Sequence, residues 1–197
     1  MCYDLLESDC PIRQGDIFYP LPRTEISLNN MQSLQKVGES TMAAVVSNWD
    51  SLQDREEIVI STALKKTWGI VATQNCDASR IPSISLFQIE PHQDIIRTPP
   101  KDSKGWIGVL TDRTCKNASW LYLPKDERLE IKDRMIINFH KVFQVPRLDL
   151  ENNIKLRKGR LGNVAYEHYR ESIAQYYRRY PYNEWYPMNN IGHRLSP

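Results

Sequence analysis

The sequence predicts a mainly β fold of the α+β class, a small barrel with a C-terminal amphipathic helix, on two observations. Short apolar runs rich in Val, Ile, Thr and aromatic residues follow one another at close spacing, each bounded by turn residues. Near the end the period changes: Leu161, Ala165, Tyr169, Ile173, Tyr176 or Tyr177 and Tyr180 recur every three or four residues. Residues 1–150 are accordingly read as the barrel-like domain, and residues 151–197 as a basic, aromatic helix and tail packed on it.

In chain order, Gly15-Asp16 ends a polar lead-in and Ile17-Phe18-Tyr19-Pro20 is a short strand stopped by proline. Residues 23–40 are polar and poorly periodic and receive no element. Residues 41–49 and 57–64 read as two strands, with room for a short helix at 51–56. Trp68-Gly69-Ile70-Val71-Ala72-Thr73 is a continuous apolar run leading into Gln74-Asn75-Cys76-Asp77, the pattern of a buried strand ending at a polar rim. Residues 83–89 alternate as a half-buried strand. The proline-containing stretch 91–104 has room for a short helix. Further strands are expected at 106–110, 120–123, 134–139 and 141–145. In the final helix Asn163 is the expected cap, with Glu167 in the first turn, and Pro181 the stop.

With 41% hydrophobic and 25% charged residues the composition is that of a folded chain. Its apolar runs fall short of the roughly 18 residues that span a bilayer, and the N-terminus is acidic where a signal peptide is basic; a cytoplasmic protein is expected, with no membrane partner. Cys2, Cys10, Cys76 and Cys115 are scattered without a C-x-x-C pair, which suggests neither a zinc site nor a disulfide framework, so reduced thiols and no cofactor are expected. The net charge of +2 divides unevenly, as +4 from residue 147 onward and −2 before it. A basic end on a near-neutral body is either a phosphate-binding surface or a solvated helix face.

Four places carry candidate chemistry. Cys76 is a nucleophile if His92 or His140 approaches it, and otherwise a small packed side chain beside a capping Asp77. Asp16 is a carboxylate at a barrel mouth or the maker of the turn into a strand. Arg157, Lys158, Arg160, Arg170, Tyr177, Arg178 and Arg179 interleave cations with rings, which suits an RNA strand; the helical period of the tyrosines favours packing. The tail around Trp185 is aromatic enough to fold back on the domain or to meet a partner.

The Gly15-Asp16-Ile17 strand, the Thr73-Gln74-Asn75-Cys76-Asp77 motif, residues 84–91, Trp120-Leu121-Tyr122-Leu123-Pro124 and the final helix together resemble a group of poorly characterised bacterial proteins. That group distantly resembles the MazF/PemK toxins, which implies an SH3-like barrel. Those toxins cleave single-stranded RNA without a metal and use an arginine at an R-P step and a hydroxyl near the barrel face. The corresponding stretch here is Lys66-Thr67-Trp68-Gly69, Thr73 alone stands where the hydroxyl is expected, and Glu90-Pro91 ends the next strand. The resemblance therefore implies a non-catalytic interaction or regulatory subunit of a toxin–antitoxin or phage-defence system. Its expected partner is an operon-encoded protein or RNA, and a homodimer is left open. Two alternatives are a metal-independent endoribonuclease in which Thr73, Asp16, Lys66 or Arg23 replaces the usual set, and a cysteine-dependent enzyme using Cys76.

Overall fold

The computed structural model describes residues 2–7, 9–26, 28–29, 31–37, 41–54, 58–92 and 119–178. Seven strands form an antiparallel sheet: β1 (Tyr3–Asp4), β2 (Asp16–Arg23), β6 (Lys65–Val71), β7 (Ser83–Pro91), β8 (Trp120–Leu123), β9 (Met135–Pro146) and β10 (Arg157–Leu161). Their spatial order is β1-β10-β2-β6-β7-β9-β8. A separate three-stranded sheet contains β3 (Met31–Val37), β4 (Thr41–Ser47) and β5 (Ile60–Ser61) in the order β4-β3-β5. Three helices accompany them among the described residues: α1 (Asn75–Ala78), α2 (Arg147–Asn152) and α3 (Asn163–Tyr177).

Because successive strand side chains point to opposite faces, the apolar runs of β2, β6 and β7 bury both sides of the large sheet. Ile17, Ile70, Phe87 and Ile89 join Ile137, Phe139 and Tyr169 of α3 in one core. Their neighbours Phe18, Val71, Leu86 and Ile84 join Leu150 of α2 in a second core on the other face. Gly69 keeps that second face close-packed, since a Cβ there would stand 2.9 Å from the Phe143 ring and 3.0 Å from Leu21 and Leu86.

The expected barrel is corrected to an open, curled sheet. No strand pairing links β1 to β8; the two edges meet through side chains, with the Tyr3 hydroxyl donating to the Pro124 carbonyl at 2.7 Å and Leu123 and Leu129 sharing its core. Strands of two and four residues at the edges are too short to complete a closing ladder. Other expectations shift as well. Residues 31–37, given no element from sequence, pair with β4 along their whole length. The two strands expected at 134–139 and 141–145 are one strand, β9, whose register on β7 jumps so that Phe87 faces Val142 while Gln88 faces Asn138. A 3-10 turn occupies Trp49–Ser51, where a short helix at 51–56 was anticipated. The expected strand at 106–110 lies outside the described residues.

Residues beyond 150 enter the domain itself. β10 lies between β1 and β2, and α3 covers the sheet with Tyr169 fully buried, its hydroxyl donating to Val71 O at 3.0 Å. Burial raises the Tyr169 phenol well above its ordinary range, so it stays a donor. The tyrosine stripe packs on one side and opens on the other: Tyr166 and Tyr176 are half-buried, and Tyr177 is 67% exposed. Gly162, not Asn163, is the N-cap. No helix among the described residues is long and apolar enough to cross a membrane.

Candidate functional site

The polar rim at the end of β6 meets the start of β2 and the first turns of α3. Gly15 has φ 89°, a left-handed conformation that glycine adopts without strain. Its N–H donates to Val71 O at 2.9 Å and its carbonyl accepts from Leu161 N at 3.1 Å, so the turn is stitched to both β6 and β10. A Cβ at Gly15 would lie 3.2 Å from the Tyr166 ring. This close approach lets Gln14, Asn75 and Tyr166 share hydrogen bonds.

Asn75 Oδ1 accepts from Gln14 N at 2.9 Å, and Asn75 Nδ2 donates to the Tyr166 hydroxyl at 3.1 Å. That hydroxyl donates to Gln14 Oε1 at 3.3 Å, and Gln14 Nε2 donates to Ala72 O at 2.7 Å. The amides and the phenol fix one another's orientation, so the wall they make is preorganised. They bound a cleft of about 910 Å³ between α1 and α3, which Cys76, Arg170, Ile173 and Tyr177 also line.

The structure thus brings part of the sequence-derived candidate set together and disperses the rest. Cys76 is exposed in the cleft, its Sγ 3.9 Å from Gln74 Oε1. Arg170 sits over the Tyr166 ring, 5.6 Å from its centroid, and pairs with Glu167 at 3.3 Å. Tyr177 lines the cleft from the last turn of α3, and Arg178 is exposed at the end of that helix. Asp77 is exposed and its backbone carbonyl accepts from Arg80 N and Ile81 N, closing the turn after α1. Thr73 Oγ1 accepts from Ser85 N at 2.9 Å, tying the end of β6 to β7. His140 contacts Tyr176, and the N–H of His92 donates to Arg134 O; the histidine that lines the cleft is His168. Arg179 and Trp185 lie outside the described residues.

Asp16 is wholly buried between two arginines. Arg157 Nη1 reaches Oδ2 at 3.3 Å, and Arg160 grips both carboxylate oxygens, with Nη2 3.1 Å from Oδ2. The same guanidiniums donate to Cys10 O at 2.8 Å, Glu7 O at 2.7 Å and Pro11 O at 2.9 Å. Lys158 pairs with Glu130 at 2.7 Å. The basic run of β10 therefore anchors the N-terminal segment to the sheet.

Sequence reasoning missed Gln14, Asn75 and Tyr166 as a unit, because the contacts join positions 61 and 91 residues apart. Lys66 and Arg23 line a different groove, at the opposite end of the β2–β6 pair. Among the described residues no three His, Cys, Asp or Glu side chains converge as metal ligands. Compared with protein-family models, curated proteins and solved structures, the chain matches none.

Proposed function

We propose that the protein is a non-catalytic interaction or regulatory subunit that holds a protein partner on the cleft between α1 and α3. The sequence resemblance to MazF/PemK-like proteins suggests a toxin–antitoxin or phage-defence system as its setting. The observation that carries the reading is the preorganised Gln14–Asn75–Tyr166 cluster beside exposed Arg170 and Tyr177. Tyrosine and arginine are the side chains that dominate interface energetics, and a rigid wall lowers the ordering cost of association. The hydroxyl and carboxylate that a ribonuclease reading would use have structural duties: Thr73 holds Ser85 N–H and Asp16 is enclosed by Arg157 and Arg160.

The test is co-purification of the tagged full chain with the products of its neighbouring genes from the native host, beside an Arg170→Glu/Tyr177→Ala variant. A protein partner that survives high salt with the parent and is lost with the variant is expected. Retention of that partner by the variant, or cleavage of single-stranded RNA by the purified parent, would overturn the reading.

A further inference from the structure

A second groove, of about 1000 Å³, lies at the other end of β2 and β6 and is lined by residues from β2, β6, β7 and the turn before β9. A β-bulge shapes it. Phe18 pairs with Gly69 and Leu21 with Thr67, so Tyr19 and Pro20 together oppose the single residue Trp68. Bulges re-aim side chains, and this one sets the Tyr19 ring on the Trp68 ring, with centroids 4.3 Å apart and planes 14° from parallel. Both rings are half-buried, and Trp68 is the one that packs against the core, so Tyr19 is the outer ring of a two-ring stack on the groove wall.

Four cations line the same groove. Lys65, Lys66 and Lys132 are exposed, and Arg23 is half-buried over the Phe143 ring with its guanidinium held by Gln88. Of the four acids in the lining, Glu90 is paired with Lys141 at 2.6 Å and Glu130 with Lys158 at 2.7 Å. That leaves the four cations against Glu25 and Asp133. Glu90 also accepts from Gln88 Nε2 at 3.0 Å and Asn138 Nδ2 at 2.9 Å, which fixes the Gln88 amide in the groove lining.

We propose that this groove binds a single-stranded nucleic acid, with a base stacking on the Tyr19–Trp68 pair and phosphates passing Arg23, Lys65, Lys66 and Lys132. An aromatic platform rimmed by cations is the chemistry that takes unpaired strands without regard to sequence. A duplex hides its base faces, so the platform selects against it. An acidic peptide would use the cations and leave the stack idle. The groove is open, and its volume sits at the upper end of the roughly 300–1,000 Å³ that small ligands fill, which suits a run of nucleotides.

The experiment is fluorescence anisotropy of labelled ten-residue oligo-U and oligo-dT with the full chain at 50 and 200 mM salt, with a blunt duplex and a glutamate decapeptide as competitors. Four phosphate contacts give a log–log salt slope of about −3 and a loss of roughly fiftyfold across that interval. Lys65→Glu/Lys66→Glu is expected to weaken binding at least tenfold, and Tyr19→Leu by about five- to a hundredfold. Both variants are checked for parental thermal unfolding, and Lys132→Glu gives a second reversal clear of the β2–β6 pair. Equal affinity for the two oligomers indicates stacking indifferent to the sugar, and a preference for oligo-U adds a 2′-hydroxyl contact; either supports the site. Absence of binding at 50 mM salt, displacement by duplex or glutamate peptide as effective as by unlabelled strand, or variants with parental affinity would overturn it. These substitutions leave Tyr166, Arg170 and Tyr177 in place, so this result and that of the partner test stand separately.

Discussion

The cations of β10 and those around the Tyr19–Trp68 groove are the same chemical groups put to opposite uses. Arg157 and Arg160 carry the sequence's most conspicuous basic run, yet their side chains are only 3% and 16% exposed and end on Asp16 and on N-terminal carbonyls. Lys65 and Lys66 attract no notice in a charge count, yet they stand exposed beside an aromatic stack. What separates the two regions is a buried counter-charge, and local sequence does not report it.

The largest effect that would sharpen this contrast is expected at Asp16. Asp16→Asn keeps the shape and removes the charge, leaving the Arg157 guanidinium buried without its anion. Breaking one side of a buried ion pair costs about 3–5 kcal/mol, a large fraction of the 5–15 kcal/mol by which domains are stable. Urea unfolding should show the midpoint falling accordingly with little change in slope. A loss below about 1 kcal/mol would mean that β10 is held by its strand pairing alone and that the comparison fails on its inward side.

A smaller loss is expected at Thr73. Thr73→Val preserves the branched shape but removes the oxygen that accepts from Ser85 N, at a cost of about 1–3 kcal/mol for a donor left unsatisfied. If Thr73 served only chemistry at the surface, the urea midpoint would not move.

How much of this was legible follows the range of the interactions. The continuous apolar runs through Ile17-Phe18 and through Trp68–Val71 are local signals, and they mark β2 and β6 in the sequence. The tyrosine period likewise announced α3 and its packed face, where Tyr169 is buried. β3 was missed because Met31–Val37 gains its order from pairing with β4, which a local pattern of mixed polarity does not signal. The open sheet was missed because closure depends on whether two distant edges pair, and β1 is only two residues long. At the site, the Q-N-C-D rim was singled out correctly as a polar end of a buried strand. Its partners Gln14 and Tyr166 were not, since nothing in the sequence near Asn75 points to them. The sign of Arg157 and Arg160 was readable; their direction required Asp16, 141 and 144 residues away.

Asp126 offers an intermediate case, a carboxylate near the surface. It caps the turn Glu127–Leu129 by accepting from Arg128 N at 3.0 Å. The side-chain hydrogen bond from Arg128 holds its pKa below the ordinary value, opposed by partial burial and helped by backbone N–H groups. A depressed folded-state pKa means stability that is full above the unfolded value of about 3.9 and is lost as pH falls through the folded one. Asp126→Asn keeps a capping oxygen and removes only the charge, so it is expected to cost less than about 1 kcal/mol at pH 7, with the gap between parent and variant narrowing toward pH 3. A gap that stays constant with pH would assign the effect to the turn's shape alone.

The smallest effect tests the outward side of the comparison. Lys65 and Lys66 lie at the start of β6, where their backbones pair with Arg23 and Pro22 while their side chains are exposed. Exposed lysines contribute little to folding because their charge is solvated in both states, so Lys65→Ala/Lys66→Ala should shift stability by no more than about 0.5 kcal/mol. The same double change removes half of the groove's four cations, and a folded state indifferent to it has those charges free for a ligand. A stability loss approaching that of Asp16→Asn would instead make these lysines structural, as the arginines of β10 are, and would erase the distinction between the two regions.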